Sequence, residues 1–275
     1  NGRLVSDRPT SAVTKKDLFD AMVEDAPPAA AHARAPRKPG GTPTLEVSGL
    51  TRKGRFRDVS FTAHPGRITA LVGANGSGCG ALARALFGAE VYDCGRIAFE
   101  GREVSGWSIR RAVQSGIAYV PAERKVEGMV GGLPAAQNIA LVHAGESATG
   151  PFLRPGRLRR MAQDWFDTLA VSPNDISQPL GHFSGGNQQK VVMAKWLNSP
   201  DLKLLILDHP LRGLDVGAAQ GVNSQIRRAC TNGTAVVLIP DTIEEALEMA
   251  DEILVMRDGE VVARHDLGEA GDPAI

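Results

Sequence analysis

The chain has 275 residues, 43% of them apolar, with 31 Lys+Arg balanced by 31 Asp+Glu. That is enough to bury a core in one large domain or two small ones, and zero net charge gives no electrostatic ground for DNA or RNA as a main ligand. The three cysteines (Cys79, Cys94, Cys230) form no C-x-x-C pair and fit reduced thiols, and no stretch approaches the ~18 apolar residues of a membrane span.

The first residue is Asn and no signal-peptide pattern follows it, as expected for a piece of a longer protein. Residues 1–23 read as a polar turn and a helix over Thr14–Val23, with Leu18, Phe19 and Met22 on one face. An Ala/Pro/Arg-rich linker occupies 24–43. Strands are predicted at Leu45–Val47, Val59–Thr62, Ile68–Val72, Arg96–Phe99 and Ile117–Val120. Pro121 to about Phe183 reads as mostly helical, with turns at Gly131-Gly132 and Pro151–Gly156. Its apolar residues Ile139, Leu141, Trp165, Phe166 and Leu169 are expected in a local core. Beyond it, strands Leu204–Leu207, Ala235–Ile239 and Ile253–Met256 alternate with helices Gln188–Leu197, Val216–Cys230 and Ile243–Ala250. Alternation of this kind points to a mainly parallel α/β sheet.

The run Gly73-Ala74-Asn75-Gly76-Ser77-Gly78-Cys79-Gly80 lies between an apolar strand and a helix. That is the context of a P-loop, G-x-x-x-x-G-K-[ST], whose backbone N–H groups wrap phosphates while Lys and Ser/Thr contact phosphate and Mg²⁺. Here Cys79 takes the Lys place and Gly80 the Ser/Thr place. Ser184-Gly185-Gly186-Asn187-Gln188-Gln189-Lys190 then opens a helix. Leu204–Asp208 is an apolar strand ending in an acid, as in a Walker-B strand that places a carboxylate near Mg²⁺. Arg212-Gly213-Leu214-Asp215 follows, and Asp258–Val262 reads as a terminal hairpin.

In this order the motifs resemble the nucleotide-binding domain of ABC transporters over residues 45 to about 265. SGGNQQK, Pro121–Gly128 and Arg212–Ala218 narrow the resemblance to the second cassette of tandem ribose-, galactose- and xylose-type sugar importer ATPases. The resemblance implies a P-loop NTPase-type α/β fold: a mainly parallel sheet, N-terminal antiparallel strands and an inserted helical subdomain at about 124–183. Residues 1–23 would be the tail of a preceding cassette and 44–275 the nucleotide-binding domain. It also implies ATP and Mg²⁺ as cofactors, and as partners a first cassette, transmembrane permease subunits and, indirectly, a periplasmic or extracellular sugar-binding protein. No nucleic acid is expected, and the place would be the cytoplasmic face of the bacterial plasma membrane.

Against the family's pattern, the sequence departs at each catalytic position. Thr51–Arg55 has no adenine-stacking aromatic, and Phe56 reads as core. Ala122 falls where a Mg²⁺-side Gln is expected, His209 replaces the catalytic Glu, and Asp241 replaces the switch His. Some relatives alter the P-loop Lys and switch His in the second cassette, so the missing Glu is the more informative loss. Asp208 remains as a candidate metal ligand, and Gly73–Gly80 as a remnant phosphate loop. Ser184, Gly185, Gly186, Asn187 and Gln188, with Asp215, form the half that would act in trans, covering a nucleotide held by the partner cassette. Turnover despite the substitutions, and a soluble ABC protein acting elsewhere, remain as alternatives.

Overall fold

The computed structural model describes Pro9 and residues 41–104, 107–143, 145, 148–149 and 152–267. The helix expected at Thr14–Val23 and nearly all of the expected linker lie outside them. The chain opens with β1 (Leu45–Arg52) and β2 (Phe56–Ala63), an antiparallel pair. Inward positions Leu45, Val47 and Leu50 alternate with more exposed ones, the signature of strands buried on one face. Phe56 is buried, as its sequence context suggested.

Next comes β3 (Ile68–Gly73), buried from Ile68 to Leu71 because it is covered on both faces, and then α1 (Cys79–Leu86). After β4 (Cys94–Phe99), β5 (Arg102–Glu103) and α2 (Ile109–Gln114), the strand β6 (Ile117–Val120) enters the second sheet. β1, β2, β4 and β5 form a four-stranded antiparallel sheet in the order β2-β1-β4-β5.

The intervening stretch is less helical than its composition suggested. It holds a π-helical turn at Arg124–Gly128, α3 (Ala135–Ala140), a small hairpin β7 (Ala148–Thr149) and β8 (Phe152–Leu153), and α4 (Pro155–Thr168). A turn was expected over Pro151–Gly156. Instead Phe152 and Leu153 form a strand, and Pro155 opens α4, where a missing N–H costs no helical hydrogen bond. Ile139, Phe166 and Leu169 are buried in a separate apolar cluster with Trp165 packed against it, whereas Leu141, expected there, is 46% exposed beyond the end of α3.

The rest alternates regularly: α5 (Gly185–Leu197), β9 (Leu204–Asp208), α6 (Val216–Thr231), β10 (Ala235–Ile239), α7 (Ile243–Met249), then the hairpin β11 (Glu252–Arg257) and β12 (Glu260–Asp266). The second sheet runs β12-β11-β3-β10-β9-β6, parallel throughout except β12. α5 serves both apolar clusters: Val191 and Ala194 face the helical one, Val192, Met193 and Trp196 the sheet. The carboxyl ends of β3, β9 and β10 open on one edge, where open α/β sheets place ligands.

Candidate functional site

At that edge a cleft of about 270 Å³ is lined by Gly73–Ala81, Gly54, Arg55, His209 and Ile239. Glycine is required in the loop by close approach. Gly78 holds φ +97°, and a Cβ there would stand 2.5 Å from Arg55 O, while one on Gly73 would stand 2.5 Å from Met256 O. The loop is pinned by Ser77 N donating to Ala74 O (2.9 Å) and Gly259 N donating to Ser77 O (3.1 Å). Among the described residues the N–H groups of Asn75, Gly76 and Gly78 have no backbone acceptor, and those of Cys79 and Gly80 open α1, where no helical acceptor exists. The backbone cradle for a phosphate is therefore present.

Its side chains are another matter. Cys79 is buried with its Sγ 3.3 Å from Ser77 Oγ, and burial pushes the thiol's pKa up, so it presents a neutral group where an ammonium would be needed. A Cβ at Gly80 would stand 3.6 Å from Asp208 Oδ2. Position 80 thus faces the carboxylate, as a metal-ligating hydroxyl should, but carries no oxygen. Asp208 is buried at the end of β9, its pKa raised by burial, and it accepts a hydrogen bond from the Tyr119 hydroxyl at 3.1 Å. Ala122 adds no ligand, and the described residues include no group of three or more His, Cys, Asp or Glu able to hold a metal ion. The backbone of this cleft fits the phosphate part of a nucleotide; of the side chains that would hold Mg²⁺ beside it, only the Asp208 carboxylate is present.

His209 sits just past Asp208 with φ +51°, a left-handed conformation rarely adopted by a non-glycine residue, fixed by its N–H donating to Ile239 O at 2.9 Å. Its Nδ1 lies 3.3 Å from Asp241 Oδ1 and its Nε2 3.8 Å from Asp208 Oδ1. The Asp241 carboxylate raises the imidazole's pKa, against burial and with help from Asp208. With a carboxylate oxygen near each of its ring nitrogens, the imidazole is poorly placed to take a proton from water. Where the resemblance implies an acid here and an imidazole at 241, this chain has the pair reversed. Behind it, Glu245 accepts from Asp241 N at 2.8 Å, and burial pushes its carboxyl up to about 7.

The second group of expected site residues lies at the start of α5, and none of it lines the cleft. Ser184 is the exposed N-cap, accepting from Asn187 N (3.5 Å) and Asn187 Nδ2 (2.9 Å). Gly185 and Gly186 occupy the first turn, with their N–H groups outside the helical ladder. Gln188, expected among the phosphate contacts, is turned inward instead: it is 4% exposed, its Nε2 donates to Phe183 O at 2.9 Å, and its N–H is spent on Ser184 O. Asn187 is committed locally as well, accepting from Ser172 N at 3.0 Å. Asp215 caps α6, accepting from Ala218 N at 2.8 Å, and its Oδ2 lies 4.0 Å from where a Cβ on Gly186 would be. Asp215 and the Gly185–Gly186 turn are thereby brought together.

One residue at this place escaped the sequence reasoning. Arg124 extends its guanidinium so close to Gly185 that a Cβ there would stand 2.6 Å from Nη2, and its Nη1 donates to Arg212 O at 3.1 Å. The only signal was its membership of the Pro121–Gly128 motif, which names no role.

Comparison with known proteins fits this geometry. The ABC transporter family model matches residues 56–212, and the chain belongs to that family. It is 36% identical, over 100% of its length, to the ribose import ATP-binding protein of Rhodococcus jostii, and 35% identical over 100% to one from Streptomyces avermitilis. It covers 54% of each, so the chain spans about half the length of the curated relatives it matches. Its fold is that of solved ABC cassettes. A dimeric bacterial ABC transporter cassette superposes with TM-score 0.71 at 17% identity, over 81% of this chain and 98% of that one. A nucleotide-free cassette gives 0.68 at 19% identity, over 82% and 92%.

Proposed function

We propose that the chain is the C-terminal cassette of a ribose-type sugar importer ATPase, and that it acts in trans rather than hydrolysing ATP in its own cleft. The carrying observation is Gly80 facing Asp208 with no oxygen to offer. The phosphate cradle and Asp208 persist, while the metal-side hydroxyl and Gln, the P-loop cation and the water-polarising acid are absent. Phosphoryl transfer depends on positioning and charge stabilisation by those groups. As proposed, the O–H of the exposed Ser184, whose oxygen is held by Asn187, and the N–H groups of Gly185 and Gly186 meet the terminal phosphate of a nucleotide held by a first cassette. In this reading ATP and Mg²⁺ bind mainly at that composite site, with Asp215 at the seam between cassettes.

Permease subunits and, through them, a sugar-binding protein are the further partners, placing the chain on the cytoplasmic face of the membrane. None of the described helices is long and apolar enough to cross it. Titration of the 275-residue chain with Mg-ATP, alongside a phosphate-release assay, tests the reading. No turnover is expected, and ATP binding should be as tight with EDTA as with Mg²⁺. Micromolar Mg²⁺-dependent binding with turnover would show an ordinary active cassette instead.

A further inference from the structure

Away from the nucleotide cleft, a second cleft of about 490 Å³ opens between α4, the segment after α5 and the end of α6. Its volume is that of a small-molecule site. Trp165, Leu197 and Leu202 give it an apolar floor, the first packed on the helical cluster and the other two on the sheet core. The indole is held in place: Trp165 Nε1 donates to Asn198 Oδ1 at 3.1 Å, and Asn198 Nδ2 in turn contacts Met161 Sδ at 3.0 Å. Asp164, Gln225, Arg228 and Asn232 line the same cleft. Asp164, Arg228 and Asn232 are exposed and Gln225 half-buried, so all four are left to meet solvent or an occupant of the cleft.

The lining restricts the occupant. Asp164 offers acceptors to an occupant, Arg228 donors, and the two amides both. An anion would meet the Asp164 carboxylate, and a cation the Arg228 guanidinium. A neutral ligand whose hydroxyls both donate and accept satisfies all four, and a ring with an apolar C–H face covers Trp165. We propose that this cleft is a second ligand site for a small neutral polyhydroxylated ring, of the monosaccharide class. The proposal does not depend on the reading of the nucleotide cleft.

Tryptophan fluorescence gives a local readout, because Trp107 and Trp196 are buried and Trp165 is partly exposed in the cleft. The 275-residue chain carrying Trp107→Phe and Trp196→Phe would be titrated with D-ribose, D-glucose and myo-inositol. The wild-type chain would be titrated in parallel by calorimetry. At least one of the three should give a saturable change. Trp165→Ala and Arg228→Ala should each weaken it about tenfold, the loss expected for one good contact. Trp165→Phe should recover part of the loss by calorimetry, with circular dichroism confirming that each variant is folded. The proposal is overturned if none of the three saturates either signal up to about 50 mM. It is equally overturned if L-serine, a zwitterion, binds while they do not, or if both alanine variants bind as the wild type does.

Discussion

Two atoms decide the chemistry of the nucleotide cleft: the nitrogen that Cys79 lacks and the oxygen that Gly80 lacks. The surrounding backbone still fits a phosphate, so restoring both should restore binding without restoring turnover. Cys79→Lys with Gly80→Ser is expected to tighten Mg-ATP binding by roughly tenfold to a hundredfold, since a charge-assisted contact is worth about 1.5–3 kcal/mol. Phosphate release should stay at background if, as proposed, His209, 3.3 Å from Asp241, stands in the place of the polarising acid. Calorimetric titration checks the first half and a turnover assay the second. Glu245 lends itself to a stability test. Its carboxyl is pushed up to about 7 from 4.5 by burial, so the folded state keeps a proton that the unfolded state releases. Its contribution to stability is complete below the unfolded value and is lost as pH rises toward 7. Glu245→Gln keeps an acceptor for Asp241 N and removes the charge. It should therefore match the wild type near pH 4 and melt roughly 2–4 °C higher at pH 8, the shift that about 1 kcal/mol produces in a domain of this size.

The Arg124–Gly128 turn is held from three sides. Arg124 reaches Arg212 O, Glu127 pairs with Arg84 of α1 at 2.5 Å, and Lys195 of α5 donates to Gly128 O at 2.5 Å. Lys195 is buried, and desolvation pulls its pKa down to about 8, so this tie is maintained against a real desolvation cost. Lys195→Met, which keeps the packing and removes the tie, should raise hydrogen exchange of amides 124–128 by about tenfold while leaving the middle of α5 protected. Exchange mass spectrometry reads this directly. The same elements mark how far sequence reasoning reaches. Continuous apolar runs such as β9 and β10 are recognisable because a doubly covered strand admits almost nothing else, and the N-cap Ser184 because it must precede a helix start. Gln188 turning inward, Leu141 left exposed and Arg124 lying over Gly185 depend on contacts between segments far apart in sequence. No local pattern encodes them. The cleft was legible as a loop with missing groups, and so were the residues at 209 and 241; that the two side chains meet at 3.3 Å was not.

At the scale of the molecule, the two candidate phosphate-facing surfaces lie in different places, the Gly73–Gly80 loop in one cleft and the Ser184–Gly186 turn outside it. The chain spans about half of its curated relatives' length, and the proposed reading makes it one partner in a composite site. The claim at the centre of this account is that the chain works through the second surface and has retired the first. The direct measurement is steady-state ATP hydrolysis by a two-cassette protein containing this chain, comparing Ser184→Arg with Cys79→Ala. Ser184→Arg is expected to cut hydrolysis at least about a hundredfold by blocking the γ-phosphate contact, and Cys79→Ala to leave it within about twofold. A Cys79→Ala loss as severe as that of Ser184→Arg would contradict the account.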